Sequence, residues 1–286
     1  MYVWKQLSPS IPHEFAFGLA CGMTDTGTVR SSNEDNFLID TSLGLFAVAD
    51  GMGGHDSGDI ASADALTWLG HYLASKLLAA TKISNFRASP FDPARTDPAA
   101  DWCADKISAM TTLHDALEFT NQRMYQTNLD QRRSNGAGMG TTLTGCWQPY
   151  PHGPLLAFHV GDTRLYRFRG GCLTRLTRDH SMYQQALDAG LLHRLPNRNL
   201  LLQAVGPASD VQPDFFTAAV EPGDLLLLCS DGLHGCSSDA QIGAMLATTR
   251  GRTLHERCAR LIEMAKADGS RDNITVLLIQ IRNQED

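Results

Sequence analysis

An α+β fold with antiparallel sheets is predicted for this chain from three observations. Strand-like and helix-like segments come in separate runs rather than in strict alternation. The helical runs carry leucine and methionine at spacings of three and four. The strand-like runs are short and apolar, and Gly and Asp punctuate them in turn-forming pairs.

Taken in order, residues 1–13 read as a loose lead-in, and Phe15–Met23, Asn36–Ile39 and Leu45–Ala49 as short strands. Leu66, Leu69, Leu73 and Leu77 mark one face of a helix. Asn85 to Pro98 holds three prolines without periodicity and is predicted to be an exposed loop, after which Met110, Leu113, Leu117 and Met124 stripe a second helix. Strands resume at Thr141–Trp147, Leu155–Val160, Leu165–Phe168 and Cys172–Leu176. Gly161-Asp162-Thr163 and Arg169-Gly170-Gly171 sit where tight hairpin turns belong, which predicts an antiparallel block. Asp179 to Pro207 is polar and irregular, broken by Gly190 and Pro196. Phe215–Val220 and Leu225–Cys229 are strands joined by Pro222-Gly223-Asp224; helices at Asp239–Thr248 and Thr253–Ala267 follow, and Ile274–Ile281 is the last strand. There is no internal repeat, so the expected organisation is a lead-in over 1–13 and a single domain over 14–286.

The 286 residues, 43% of them hydrophobic and 19% charged, suit a globular chain with one sizeable core. With 24 Lys and Arg against 31 Asp and Glu, the formal charge of −7 lacks the basic surplus of a nucleic-acid binder. No apolar run approaches the roughly 20 residues of a membrane span, and the first residues lack the layout of a secretory signal. Seven cysteines, with no C-x-x-C pair and no zinc spacing with His, point to reduced thiols and a cytoplasmic protein.

The acids carry the chemistry. Phe46-Ala47-Val48-Ala49 ends in Asp50-Gly51, Leu155–Val160 in Gly161-Asp162, and Leu225–Ser230 in Asp231-Gly232, while Asp272-Asn273 opens the last strand. Any one such pair is an ordinary turn former. A buried carboxylate without a partner is costly, however, and four of them beside Glu34-Asp35 would naturally share hard cations. An all-oxygen donor set favours Mg²⁺ or Mn²⁺ over Zn²⁺. Two such ions about 4 Å apart can activate a water for in-line attack at phosphorus. Arg30, four residues before Glu34, is the leading clamp for the phosphoryl oxygens. The residues alone thus point to a metal-dependent phosphoester hydrolase.

In these segments the chain resembles the metal-dependent protein phosphatases of type 2C, in their bacterial form. The resemblance runs from about Gly18 to Ile281 through seven ordered segments. They are Gly27–Arg30 with Asn33–Asn36, Val48–His55, Gly138–Thr142, His159–Arg164, Thr177–Ser181, Cys229–Leu233 and Ser270–Thr275. It implies a four-layer α-β-β-α sandwich and a binuclear Mn²⁺ or Mg²⁺ centre hydrolysing phosphoserine and phosphothreonine in proteins. By matching motif, Asp50 would bridge two ions, the Gly51 carbonyl would bind one, and Asp231 and Asp272 the other. Glu34 and Asp35 would hold metal-bound waters, Asp162 would share a weaker third site with Asp231, and Arg30 would bind the substrate phosphate. The nucleophile would be the metal-bridging water.

Two positions depart from the family pattern. Met52 stands where many members outside bacteria place a His as general acid, and Gly235 stands where an acid or Asn is common. His55 is expected to shape the turn that follows, and residues 179–207 match the family's flap. The implied partners are phosphoproteins, including a cognate Ser/Thr kinase or its substrates, with neither nucleic acid nor membrane insertion. A haloacid-dehalogenase-type phosphatase would need a second Asp after Asp25, and an aspartic protease a second Asp-Thr/Ser-Gly; both are absent. The alternative from another class is a catalytically weak, phosphoprotein-binding regulatory module of the same fold.

Overall fold

The computed structural model describes residues 5–53, 57–86, 98–131, 138–150 and 153–282. In chain order the elements are β1 (His13–Phe15), β2 (Gly18–Asp25), β3 (Asp35–Asp40), β4 (Leu45–Met52), α1 (Gly58–Phe86) and α2 (Pro98–Asp130). Then come β5 (Gly140–Thr141), β6 (Leu143–Trp147), β7 (Leu155–Val160), β8 (Arg164–Arg169), β9 (Cys172–Arg175) and α3 (Met182–Asp188). The chain continues through β10 (Asp214–Ala218), β11 (Leu225–Cys229), α4 (Asp231–His234), α5 (Asp239–Thr248), α6 (Leu254–Ala267) and β12 (Ile274–Ile281).

The strands form two antiparallel sheets. One has the order β1-β2-β12-β11-β8-β9; the other runs β10-β7-β6-β4-β3, with β5 added to the end of β4. Three apolar layers hold the molecule together. Phe37, Phe46, Val48, Leu226, Leu228, Leu277 and Ile279 fill the space between the sheets. Leu66, Leu69 and Leu73 of α1 and Leu113 and Leu117 of α2 cover the outer face of the second sheet. Cys258, Leu261 and Ile262 of α6 and Ile242 of α5 cover the first. This is the four-layer α-β-β-α sandwich. It also explains why β11 reads as an unbroken apolar run: Leu226 and Leu228 face the other sheet, while Leu225, Leu227 and Cys229 face the helices.

Several expectations need correction. Gly161-Asp162-Thr163 is not a hairpin: β7 pairs with β6 and β10, β8 with β11 and β9, so the turn carries the chain from one sheet to the other. Gly161 makes that crossing at φ +103°, a conformation rare for L side chains. Arg169-Gly170-Gly171 does close a hairpin between β8 and β9. The irregular stretch from Asp179 contains α3, capped by Ser181, whose side chain accepts from the Gln184 N–H. From Lys5 onward the lead-in is tied down rather than loose: Leu7 N–H donates to Asn36 Oδ1, Ile39 N–H to Ser8 Oγ, and Asn36 Nδ2 to the Lys5 carbonyl. The proline-bearing loop is shorter than expected, because Asn85 and Phe86 end α1 and Pro98 begins α2. Its middle, 87–97, lies outside the described residues, as does His55. The six described cysteines are free, and no described helix is long and apolar enough to cross a membrane.

Candidate active site

Antiparallel pairing gathers the acids. A residue at the C-terminal end of one strand lies beside the N-terminal end of its neighbour. Asp50, late in β4, is therefore in register with Asp35, which begins β3. Asp231, just past β11, likewise falls at the end of the sheet where β12 begins, with Asp272 two residues before it. The crossing after β7 delivers Asp162 to the same edge of the sandwich. Together these ends wall a cleft of about 290 Å³ lined by Arg30, Glu34, Asp50, Gly51, Asp162, Asp231 and Asp272, with Met52, Thr142 and Asn273 among the other described lining residues.

Hydrogen bonds fix the frame. The Asp50 N–H donates to Thr142 Oγ1 at 2.9 Å, and its carbonyl accepts from Thr142 N–H at 2.9 Å and Thr141 Oγ1 at 2.8 Å. The Asp162 carbonyl accepts from His234 Nε2 at 2.9 Å. Arg30 donates from Nη2 to Asp272 Oδ2 at 2.7 Å, leaving its other N–H groups for an oxyanion. Gly232, beside Asp231, is there because a Cβ would sit 1.9 Å from the Asn273 carbonyl oxygen; backbone packs on backbone, not on a ligand.

Of the expected site residues, Arg30, Glu34, Asp50, Gly51, Asp162, Asp231 and Asp272 come together in the cleft. Asp35 stands behind its wall, fully buried, and accepts from Ser230 Oγ at 2.6 Å. Burial raises its pKa to about 7, against the opposing hydrogen bonds from Ser230 and Thr275. Sequence reasoning passed over Asn273. Its Oδ1 accepts from Glu34 N–H, and its Nδ2 donates to the Thr26 and Ser32 carbonyls, each at 2.9 Å, so it ties the Arg30 loop to the start of β12. Its place next to Asp272 was the available signal. Thr142, which locks Asp50, was passed over in the same way, as were Asn199 and Leu201, which line the cleft from the 179–207 segment.

Electrostatics give the site its character. Burial and then the charge of Asp272 lift Asp231 to about 6. Burial lifts Asp50, with Asp35 and Asp231 adding repulsion, and it lifts Asp162, with Asp231 next in importance. Asp231 Oδ1 is buried with no hydrogen-bond partner among the described residues. Five carboxylates against one guanidinium, with an orphaned carboxylate oxygen, is a donor set for hard divalent cations.

A family model described as Protein phosphatase 2C matches residues 28–278. The chain belongs to the protein phosphatase 2C family. Among its relatives in that family, protein phosphatase PhpP of Streptococcus pneumoniae serotype 2 (strain D39) is 32% identical over 272 residues, covering 92% of this chain and 97% of that one. The crystal structure of the PPM Ser-Thr phosphatase MsPP from Mycobacterium smegmatis, in complex with cacodylate, is 31% identical. It covers 92% of this chain and 97% of that one at a TM-score of 0.69. The catalytic domain of the phosphatase PstP, in complex with two manganese ions, is 29% identical at a TM-score of 0.68 over 92% of this chain and 98% of that one. Protein phosphatase 2C members are metal-dependent, and the acidic cleft of this chain lies within the matched span.

Proposed function

We propose that this protein hydrolyses phosphoserine and phosphothreonine in proteins, with two divalent cations, Mn²⁺ or Mg²⁺, held in the acidic cleft and a weaker third beside them. The observation that carries the reading is the convergence of five carboxylates on one cleft, with Asp231 Oδ1 buried and unpartnered, next to the guanidinium of Arg30. The residues that would hold the cations are Asp50, the Gly51 carbonyl, Asp231 and Asp272, with Asp162 at the third position and Glu34 and Asp35 supporting. Bound there, divalent cations supply charge neutralisation for the phosphoryl group and a water of lowered pKa.

The chain's own groups do the rest. Arg30 binds the phosphoryl oxygens through the donors that Asp272 leaves free, and Asn273 holds the Arg30 loop to β12. The threonine pair at 141–142 keeps the Asp50 peptide from shifting as charge changes beside it. Met52 offers no proton, and the described lining contains no imidazole, thiol or phenol; among the described residues, the proton for the leaving oxygen can come only from the carboxyls or from water. Residues 14–286 act as one catalytic unit with 179–207 as its flap, in the cytoplasm, on the phosphoproteins of a separate Ser/Thr kinase.

The deciding experiment is hydrolysis of p-nitrophenyl phosphate and a phosphothreonine peptide by chelator-stripped protein, with and without Mn²⁺. Activity is expected only with Mn²⁺ and not in Asp231→Asn. Undiminished turnover by the stripped protein, or by Asp231→Asn, would overturn the assignment.

A further inference from the structure

Residues 200–202 pair with residues 180–182 on the rim of the cleft, just after the turn that holds Asn199. Leu201 bridges to Ser181 in antiparallel fashion, with Met182 N–H donating to the Leu200 carbonyl at 2.8 Å and Leu202 N–H to the His180 carbonyl at 2.7 Å. Ser181 and Leu201 are thus the narrow pair of an antiparallel bridge, whose own N–H and C=O groups point away from each other. On the Leu201 side, neither group meets a protein partner among the described residues. Asn199 and Leu201 both line the cleft. Leu200 and Leu202, which flank Leu201 in the pairing and so turn the opposite way, are 48% and 46% exposed, with Met182 opposite Leu200 at 42%.

We propose that the free main-chain edge of Leu201 docks the extended backbone of the phosphoprotein substrate. This rests on the phosphatase reading and gives it a recognition mode, strand addition at an open edge. Continuity with the cleft argues for that occupant, since Leu201 belongs both to the edge and to the lining. A segment adding antiparallel there exchanges N–H and C=O with Leu201 through the residue directly opposite it. Residues directly opposite share a face. The opposite residue and those two positions away therefore face the cleft with Leu201, and one of them is the phosphoresidue. Its immediate neighbours lie over Leu200, Leu202 and Met182, which favours apolar side chains on either side of the phosphoresidue.

The test uses the full chain with Mn²⁺ and a phosphothreonine peptide series N-methylated at one backbone position at a time. The expected result is a loss of about tenfold in kcat/KM at one position, the loss of one hydrogen bond, lying at an even offset from the phosphothreonine. Peptides with leucine next to the phosphothreonine should be preferred over those with serine there, and Leu200→Ser should erase that preference. Equal sensitivity at all positions, insensitivity at all, or sensitivity only at odd offsets overturns the proposal. p-Nitrophenyl phosphate has no main chain and reads the chemistry alone. Its turnover by the same sample separates failure of the docking edge from failure of the phosphatase reading, which would remove turnover of both substrates and this proposal with it.

Discussion

Three main-chain groups depend on the Asn273 carboxamide, and losing it should loosen the loop that carries both Arg30 and Glu34. Asn273→Ala is expected to cost about 1–3 kcal/mol in urea unfolding and to raise KM for p-nitrophenyl phosphate more than it lowers kcat; unchanged KM would show that the loop is held elsewhere. His159 is a second residue with a measurable signature. Its Nε2 donates to the Arg178 carbonyl at 3.0 Å and Thr144 Oγ1 bonds its Nδ1 at 2.8 Å. Burial, with help from His180, lowers its pKa to about 4, against about 6.5 in the unfolded chain. Between those values the unfolded chain binds a proton that the folded one refuses, so this contribution is present above pH 6.5 and lost as the pH falls through 4. On the order of 3 kcal/mol is at stake. The buried carboxylates slope the other way, so the expected result is a difference: His159→Gln should lose less stability than wild type between pH 7 and pH 4.5. Parallel pH profiles would refute it. At this scale the sequence shows the acids plainly, because Asp beside Gly at a strand end is a local pattern. Asn273 and Thr142 do their work across 239 and 92 residues of separation, which no local pattern records.

The 179–207 segment is an element whose attachment can be read bond by bond. Arg164 of β8 grips Asp179 bidentately, Nε to Oδ1 at 2.8 Å and Nη2 to Oδ2 at 2.6 Å, with the two side chains only 11% and 8% exposed. Burial alone would raise Asp179, but the hydrogen bonds and charge of Arg164 hold it below the usual carboxylate range. Arg164→Met leaves the buried Asp179 only the longer Arg175 contact at 3.7 Å, and about 3 kcal/mol should be lost. Adding Asp179→Asn to it should cost less than the two changes summed, and a double-mutant cycle with no coupling would show the pair to be incidental. Elements such as β7, β11, α5 and β12 are legible to the residue because both faces of each strand are covered or the helix opens on a capping box, as Ser238 and Gln241 do for α5. The crossing at Gly161 is not legible, since a glycine-aspartate turn looks the same whether the next strand pairs with the last one or joins another sheet. Helix α3 escaped notice because seven residues are too few to establish a period.

Across the whole molecule, the cleft concentrates like charge that the fold alone does not neutralise. Added Mn²⁺ should therefore raise the melting temperature of the stripped protein, by an amount that grows with its concentration, and should do so far less in Asp231→Asn; equal shifts in the two would place the ions elsewhere. The layer order follows from the sequence only through resemblance, because composition and period mark which segments are buried but not which sheet each one joins. The division of the acids between the sheets has its own consequence. Asp35 and Asp50 belong to one sheet, Asp231 and the start of β12 to the other, and Asp162 to the link between them. No half of the sandwich can assemble the cleft by itself. A chain still under synthesis thus has no such cleft until β12 has emerged and inserted between β2 and β11.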